Sequence, residues 1–182
     1  MEIIFVRHAE KESLGENPNI TKKGIIQAKY LGKILKKEKI DDFYCSELNR
    51  AKQTAEIISK KTGIKPKIEK SLNEFESSTI KKVKNKWSKE EKSHYNNLIS
   101  FLKRLTKNPN KERLILIVAH GITNRVILSY FLNLNLRNII QFTQKEACLN
   151  SIYWKDKFKN WRLKTWNNGG YIPKGFRWGY FY

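Results

Sequence analysis

The chain has 182 residues and a formal net charge of +20, with 40% hydrophobic and 12% aromatic residues. This composition is too apolar for an intrinsically disordered chain, and the length fits one domain rather than several. The two cysteines, Cys45 and Cys148, exclude a disulfide framework and favour a reducing compartment. The N-terminal residues lack a signal-peptide pattern, and no apolar run is long enough to span a membrane. We expect a cytoplasmic protein with one domain over residues 1–182.

The high positive charge has two explanations. It could attract an anionic substrate or partner, including nucleic acid. It could also reflect a preference for A/T-rich codons, because lysine, asparagine and isoleucine are abundant together and lysine outnumbers arginine. Arginine is the residue whose planar guanidinium group forms bidentate hydrogen bonds to phosphates and base edges. We favour codon preference with a solvated basic face, and nucleic acid is not expected as a partner.

The first predicted elements are a strand, a loop and a helix. Residues 2–6 form a short apolar run with β-branched residues, which is typical of a buried strand. Residues 7–20 are polar and predict a loop. Thr21 is a candidate N-cap, and apolar residues spaced three and four apart predict an amphipathic helix over residues 22–37.

A second strand and helix follow with the same alternation. Residues 42–45 predict a short strand, and Ser46 is expected to cap the helix after it. Gly63 marks the end of that helix. Residues 66–68 predict a third, weak strand.

The next segment, about 71–110, has the features of a helical insertion between strands. Its first part has no clear period and contains a run of lysines. Ser88 and Glu91 have the spacing of a capping box. The helix that they open ends before Pro109.

The remaining elements complete an α/β pattern. Residues 114–119 are an unbroken apolar run, which is typical of a parallel strand buried on both faces. Residues 122–132 predict a buried helix, and two late strands lie near 147–154 and 161–166. This order predicts an α/β domain with three layers (α/β/α) around a central, mostly parallel sheet.

Four basic side chains lie where strands end or a helix begins. Arg7 and His8 follow the first strand directly, and His120 follows the strand 114–119. Ligands of open α/β sheets bind beyond the carboxyl ends of the strands, so both histidines should face one crevice. Arg50 lies in the first turn of the helix after the second strand, and helix N-termini and guanidinium groups both favour phosphate.

Four segments in this order resemble motifs of the histidine phosphatase superfamily, also called the phosphoglycerate mutase-like family. The resemblance covers residues 1–130, and the closing strands over 147–168 are also similar. The insertion and the tail beyond about 168 have no secure counterpart. The four segments are IFVRHAE (4–10), ITKKGIIQA (20–28), YCSELNRAKQTA (44–55) and VAHG (118–121).

The resemblance implies a fold of the phosphoglycerate mutase type and a phosphatase mechanism. Neutral His8 would attack phosphorus and become phosphohistidine. Arg7, Arg50 and His120 would hold the phosphoryl oxygens, and Gly121 would let the start of its helix approach the phosphate. The family needs no metal or other cofactor, since cationic side chains do the clamping that Mg²⁺ does elsewhere.

A leaving alkoxide needs a proton, and the family often takes it from a Leu-x-Glu segment after the third strand. Residues 72–74 (LNE) fit that place, so Glu74 is the candidate general acid and Glu76 the reserve. The glycine-rich continuation usual in the family is absent here. The alternative interpretation is that Glu74 is a surface carboxylate without a catalytic role. Some short members of the family that act on phosphohistidine proteins lack this general acid.

Other polar and aromatic residues have plainer interpretations. Glu10 could face the pocket or pair with a neighbouring lysine, and His94 is expected to be solvated on the inserted helix. Four of the five tryptophans lie between residues 154 and 178. The aromatic tail over about 168–182 predicts a flap docked on the core, with a lid over the site or a subunit contact in a homodimer as alternatives.

The leading functional hypothesis is a phosphomonoesterase acting on a small phosphorylated substrate. A phosphoglycerate-type mutase is a rival, but its usual motif has glycine, tryptophan and asparagine where this chain has Ala9, Ser13 and Leu14. A phosphatase of protein phosphohistidine, with a phosphoprotein as partner, is a second rival. A hypothesis of another class is a non-catalytic module that binds anions or nucleic acid and retains the fold.

Overall fold

The computed structural model describes residues 1–76 and 86–177. Strands and helices alternate along this part of the chain until the last two strands, which follow each other, as the hydrophobic pattern predicts. The strands are β1 Glu2–Arg7, β2 Asp42–Cys45, β3 Lys67–Ile68, β4 Leu114–Ala119, β5 Leu149–Lys155 and β6 Asn160–Asn168. The helices are α1 Lys22–Leu35, α2 Asn49–Thr62, α3 Lys89–Leu105 and α4 Gly121–Leu132.

The strands of the described residues form one sheet in the order β3-β2-β4-β1-β5-β6. Neighbours among β1 to β4 pair in parallel, whereas β5 pairs antiparallel with both β1 and β6. The prediction of a mostly parallel sheet is confirmed. β1 and β4 lie side by side with Arg7 opposite Ala119, so the residues that follow them leave the sheet at the same edge.

Two hydrophobic clusters cover the two faces of the sheet. Ile3 and Phe5 of β1 pack on the side of α3 and α4, whereas Ile4 and Val6 pack on the side of α1 and α2. This alternation follows from the two-residue period of a strand, which sends successive side chains to opposite faces. The predicted three-layer α/β/α architecture is therefore confirmed.

Local sequence signals explain several element boundaries. The Thr21 hydroxyl accepts a hydrogen bond from the Gly24 N–H at 2.9 Å, which caps α1. A Cβ at Gly24 would lie 2.2 Å from the carbonyl oxygen of Glu10, so only glycine allows this close approach of loop and helix. Ser88 and Glu91 form the predicted capping box of α3.

One predicted cap is wrong. Ser46 does not cap α2, because the N-cap residue is Leu48 and it has no side-chain cap hydrogen bond. The Ser46 hydroxyl instead accepts a hydrogen bond from the Leu48 N–H and donates one to Asn73. The serine therefore lies in the turn before the helix, where it faces the end of the sheet.

The insertion and the tail are described only in part. Residues 77–85 of the predicted insertion and 178–182 of the predicted aromatic tail lie outside the described residues. Within the described part of the tail, Ile172 is fully buried, and Tyr171 and Phe176 pack against the cluster beneath α1 and α2. No helix in the described ranges is long and apolar enough to cross a membrane.

Candidate active site

His8 and His120 meet at the carboxyl edge of the sheet. Each follows one of the two adjacent parallel strands β1 and β4, and their ring centroids are 5.1 Å apart. Both side chains are buried. The structure thus brings together the two histidines that the strand-end positions in the sequence single out.

The hydrogen bonding of His8 assigns its tautomer. Nδ1 lies 2.8 Å from the carbonyl oxygen of Ala9, which can only accept, so Nδ1 donates the proton. Burial lowers the pKa of His8 from 6.5 to about 3, and the charges of Arg7 and Arg50 act in the same direction. The ring is therefore neutral near pH 7, with a lone pair on Nε2.

The lowered pKa of His8 predicts an acid-sensitive fold. His8 takes up a proton below about pH 6.5 in the unfolded chain, but only near pH 3 in the folded chain. The free energy of unfolding therefore falls as the pH falls through that interval. Lowering the pH from about 7.5 to about 4.5 should reduce the free energy of unfolding by about 2.5 kcal/mol through this one residue. Urea unfolding at both pH values tests this, with the His8→Gln variant as control. An equal acid dependence in the variant would contradict the prediction.

The guanidinium of Arg7 is held from two sides. Nη1 donates to the backbone oxygen of Gln144 at 2.5 Å, and Nη2 pairs with the carboxylate of Glu146 at 2.8 Å. A Cβ at Gly121 would lie 3.4 Å from Nε of Arg7, so a side chain there would cover the guanidinium. The residue at the start of α4 thus leaves room for the arginine.

Arg50 reaches the same region from the first turn of α2. Burial lowers the pKa of its guanidinium, against the attraction of Glu74. Its backbone oxygen accepts a hydrogen bond from Thr54 Oγ1 at 2.7 Å, and that hydroxyl accepts from the Ala9 N–H at 3.0 Å. Thr54 therefore ties α2 to the segment that carries His8.

His120 is uncharged in the site. Burial lowers its pKa well below 6.5, and the positive charges around it add to this shift. Its Nε2 lies 2.8 Å from Ser46 Oγ. The ring is therefore fixed from the side of α2, where the sequence predicts only a helix cap.

Three buried nitrogens of this site have no hydrogen-bond partner among the described residues. They are Arg7 Nε, Arg50 Nε and His120 Nδ1. A buried polar group without a partner is costly, so such groups mark a place where a ligand supplies the missing partner. Two guanidinium groups and an imidazole favour an anion with several oxygen atoms.

Glu74 lies beside this anion site. Its Oε1 accepts hydrogen bonds from the Ile122 and Thr123 N–H groups at 3.0 and 3.2 Å, at the N-terminus of α4. Burial raises the pKa of the carboxyl, against the attraction of Arg7 and Arg50. The structure therefore distinguishes the two predicted candidates, because Glu74 is enclosed at the site whereas Glu76 is exposed.

Two further sequence interpretations are decided here. Glu10 forms an ion pair with Lys23 at 2.9 Å, which is the lysine-pairing alternative. The prediction that His94 is solvated is wrong. Its ring stacks on Phe75 at a centroid distance of 3.9 Å, and Nε2 donates to the Ser71 oxygen at 3.2 Å. The segment around Glu74, from Ser71 to Phe75, thus packs against α3 through this histidine.

Several residues that support the site are not among the candidates that the sequence pattern indicates. Besides Ser46 and Thr54, they include Asn73, whose amide bonds both Ser46 and Glu47. Gln27 accepts a hydrogen bond from the Glu10 N–H at 2.8 Å and so holds the loop after His8. Ser46, Thr54 and Gln27 lie within two of the motif segments given above, and Asn73 precedes Glu74, so their position was the signal that could have found them.

Comparison with known proteins supplies independent information. A model of the histidine phosphatase superfamily (branch 1) matches residues 3–101 and 81–169. No protein of curated function matches the chain significantly in sequence.

Several solved structures are similar over nearly their whole length. The α-ribazole phosphatase of Shigella flexneri is 20% identical with a TM-score of 0.73, covering 93% of this chain and 97% of that chain. A phosphoserine phosphatase of Entamoeba histolytica is 19% identical with a TM-score of 0.73, covering 94% and 99%. A mycobacterial glucosyl-3-phosphoglycerate phosphatase is 16% identical with a TM-score of 0.72, covering 91% and 98%. At these identities the likeness shows the fold alone.

Proposed function

The chain belongs to the histidine phosphatase superfamily, and on that premise we propose that it hydrolyses a phosphomonoester through a phosphohistidine formed on His8. The observation that carries the proposal is the set of three buried nitrogens without partners beside that histidine. The two arginine N–H groups are donors that no described residue uses, and His120 Nδ1 becomes a third donor to the phosphoryl oxygens when it takes up a proton. The substrate is a small phosphorylated molecule or a phosphoprotein.

The first chemical step uses the neutral ring of His8. Its Nε2 lone pair forms the bond to phosphorus while the bond from phosphorus to the ester oxygen breaks. The phosphorylated ring keeps its proton on Nδ1 and gains positive charge. The hydrogen bond from Nδ1 to the Ala9 oxygen, 2.8 Å long in the free protein, then becomes charge-assisted.

The cationic groups stabilise the transferring phosphoryl group. Arg7 and Arg50 hold its oxygens, and His120, neutral in the free protein, completes the set through Nδ1 once that nitrogen carries a proton. These groups are already in place before substrate arrives, because Arg7 is held by Gln144 and Glu146. Donors oriented in advance stabilise the transition state without reorganisation. A metal ion is not required in this proposal, since the arginines neutralise the phosphoryl charge.

Glu74 acts as general acid and then as general base. Its raised pKa favours the protonated carboxyl, which donates its proton to the leaving ester oxygen. In the second step the carboxylate takes a proton from water while that water attacks phosphorus and the bond to His8 breaks. Inorganic phosphate leaves, and both residues return to their starting forms.

The enclosed carboxyl favours an ester substrate over a phosphohistidine protein. An imidazole whose second ring nitrogen carries a proton leaves as a neutral molecule without a further acid, whereas an alkoxide needs one. Glu74 lies beside the two arginines, and its pKa is raised by burial. We therefore propose small phosphate esters, rather than phosphoproteins, as the preferred class of substrate.

A screen for release of inorganic phosphate tests the function. The panel contains phosphorylated metabolites, including α-ribazole phosphate, phosphoserine and glucosyl-3-phosphoglycerate, together with a phosphohistidine protein. Hydrolysis of at least one ester in the presence of a chelator is the expected result. Absence of phosphate release from the whole panel would contradict the proposal.

The Glu74→Gln variant should show a loss that depends on the leaving group. Glutamine keeps an oxygen for the Ile122 and Thr123 N–H groups but has no acidic proton to transfer to the leaving group. We expect kcat for alkyl esters to fall about 10²-fold or more, and for aryl esters with acidic leaving groups by less than about 10-fold. Steady-state kinetics on both ester classes provide the measurement. Equal losses would move the acid role to another residue.

A further inference from the structure

A chain of hydrogen bonds leads from His120 away from the phosphate site. Its Nε2 lies 2.8 Å from Ser46 Oγ, and Ser46 Oγ lies 2.8 Å from Asn73 Oδ1. Asn73 Nδ2 lies 2.9 Å from the carboxylate of Glu47. Ser46 and Asn73 thus connect the buried imidazole of His120 to the partly exposed carboxylate of Glu47, just before α2.

The amide of Asn73 has one orientation that satisfies its partners. The backbone N–H of Glu47 lies 3.3 Å from Oδ1 and can only donate. The carboxylate of Glu47 can only accept, so it must face the amide nitrogen. Both partners belong to the same residue, and together they exclude the flipped amide.

The Ser46 hydroxyl follows from that orientation. Asn73 Oδ1 can only accept, so the single hydroxyl hydrogen of Ser46 points to it. The Leu48 N–H donates to the same Oγ at 3.2 Å. What remains for His120 is a lone pair of Oγ, so Nε2 of His120 must carry a hydrogen.

Neutral His120 therefore has its lone pair on Nδ1, the buried nitrogen without a partner. A phosphate dianion also offers only lone pairs, so the two atoms repel unless a proton lies between them. We propose that Glu47, Asn73 and Ser46 are positioning residues that hold the proton of His120 on Nε2, and thereby couple phosphate binding to the uptake of one proton at Nδ1. This inference rests on the proposed function for its ligand.

The proton balance is simple. One proton from solvent joins one neutral imidazole and one phosphate dianion, and the complex holds it between Nδ1 and a phosphate oxygen. The ionisable groups that act on His120 are His8, Arg50, Arg7 and His94. The arginines keep their protons throughout, and His8 already donates from Nδ1.

Proton uptake on binding inorganic phosphate tests the coupling. Calorimetry in buffers of different ionisation enthalpy, at about pH 8 where phosphate is mainly dianionic, counts the protons. The measurements use a Glu74→Gln background, so that this carboxyl contributes none. We expect uptake of about one proton with Ser46 present. In Ser46→Ala the ring is free to carry its proton on Nδ1, so uptake should fall towards zero.

The matched control is Ser129→Ala. Ser129 is also buried and donates a 2.8 Å hydrogen bond, to the Leu134 oxygen at the far end of α4, so its loss should leave proton uptake unchanged.

Equal uptake in Ser46→Ala and the control would overturn the coupling. Absence of phosphate binding would overturn both the coupling and the phosphate site. Binding with uptake but without hydrolysis of any ester would overturn the proposed function alone.

Nitrogen NMR of the free protein tests the network without a ligand. The chain has three histidines, so single variants assign each ring. We expect a protonated Nε2 and an unprotonated Nδ1 for His120, and the opposite for His8. In Asn73→Ala the Ser46 hydroxyl is free to turn towards His120, which should move the proton to Nδ1. Glu47→Gln keeps an acceptor for Asn73 and should leave the tautomer unchanged. A protonated Nδ1 of His120 in the wild type would overturn the proposal.

Discussion

Replacing His8 with alanine is expected to lower kcat by at least about 10⁴-fold and to abolish covalent labelling by a labelled phosphomonoester. The variant lacks the Nε2 lone pair that forms the bond to phosphorus, and water cannot take its place with the same orientation. The wild type should retain label that is lost in acid, as a phosphoramidate bond requires. Rapid quenching during turnover, followed by separation of the protein, provides the measurement.

Stability and binding separate this loss from misfolding. The side chain of His8 is buried and uncharged, so its removal takes away a group that is costly to ionise. The variant should therefore unfold in urea with less acid dependence than the wild type, while inorganic phosphate still binds through the other groups. Equal retention of label in wild type and variant, or a loss of kcat below about 10-fold, would contradict a nucleophilic His8.

Replacing Arg50 with methionine is expected to lower kcat/KM by about 10³-fold. Methionine fills much of the volume that the buried arginine occupies but provides neither charge nor N–H donors. Arg50 Nε has no protein partner among the described residues, so the phosphoryl group is the partner that the variant loses. Arg50→Lys keeps the charge without the planar guanidinium, so its kcat/KM should lie between those of the wild type and Arg50→Met.

Arg104→Met is the matched control for the loss of a positive charge. The side chain of Arg104 is 68% exposed and lies 3.8 Å from Glu69 on the outer side of α3. Its removal lowers the net charge by the same amount, yet kcat/KM should change less than about 2-fold at physiological salt, where exposed charges are screened. Similar losses in both variants would assign the effect to overall charge rather than to the anion site.

The overall charge of +20 is separate from these local roles. Arg7 and Arg50 belong to the proposed phosphate site, and the described lysines lie mainly at exposed positions. Raising the salt concentration should therefore slow the encounter with an anionic substrate without changing the chemical steps. The excess of lysine is consistent with codon preference and adds no argument for nucleic acid.

Much of the fold could be predicted because its signals are local. The apolar run of β4, the cap at Thr21 and the capping box at Ser88 each depend on residues within one element. The positions of His8 and His120 at the ends of predicted parallel strands were enough to place them at one edge of a sheet. Ordered motifs similar to one family identified that family from the same residues.

The roles of individual polar groups could not be predicted in this way. Ser46 has the sequence context of a helix cap, but its hydroxyl meets His120, 74 residues further along the chain. His94 lies on a largely polar helix, but it packs against Phe75 in a separate segment. The sequence favoured Glu74 over Glu76 as the general acid. The structure shows the physical difference between them, because only Glu74 of the two is enclosed by the start of α4.

The sequence by itself determined the alternation of elements, the family and the set of candidate residues, because hydrophobic periods and motif spacing act over short distances along the chain. Only the tertiary structure decided which carboxylate is enclosed, which nitrogen of each histidine carries the proton, and which donors of Arg7 are already occupied. Those properties depend on burial and on hydrogen bonds between residues far apart in sequence. They arise when β1, β4, α2 and α4 bring their ends to one edge of the sheet.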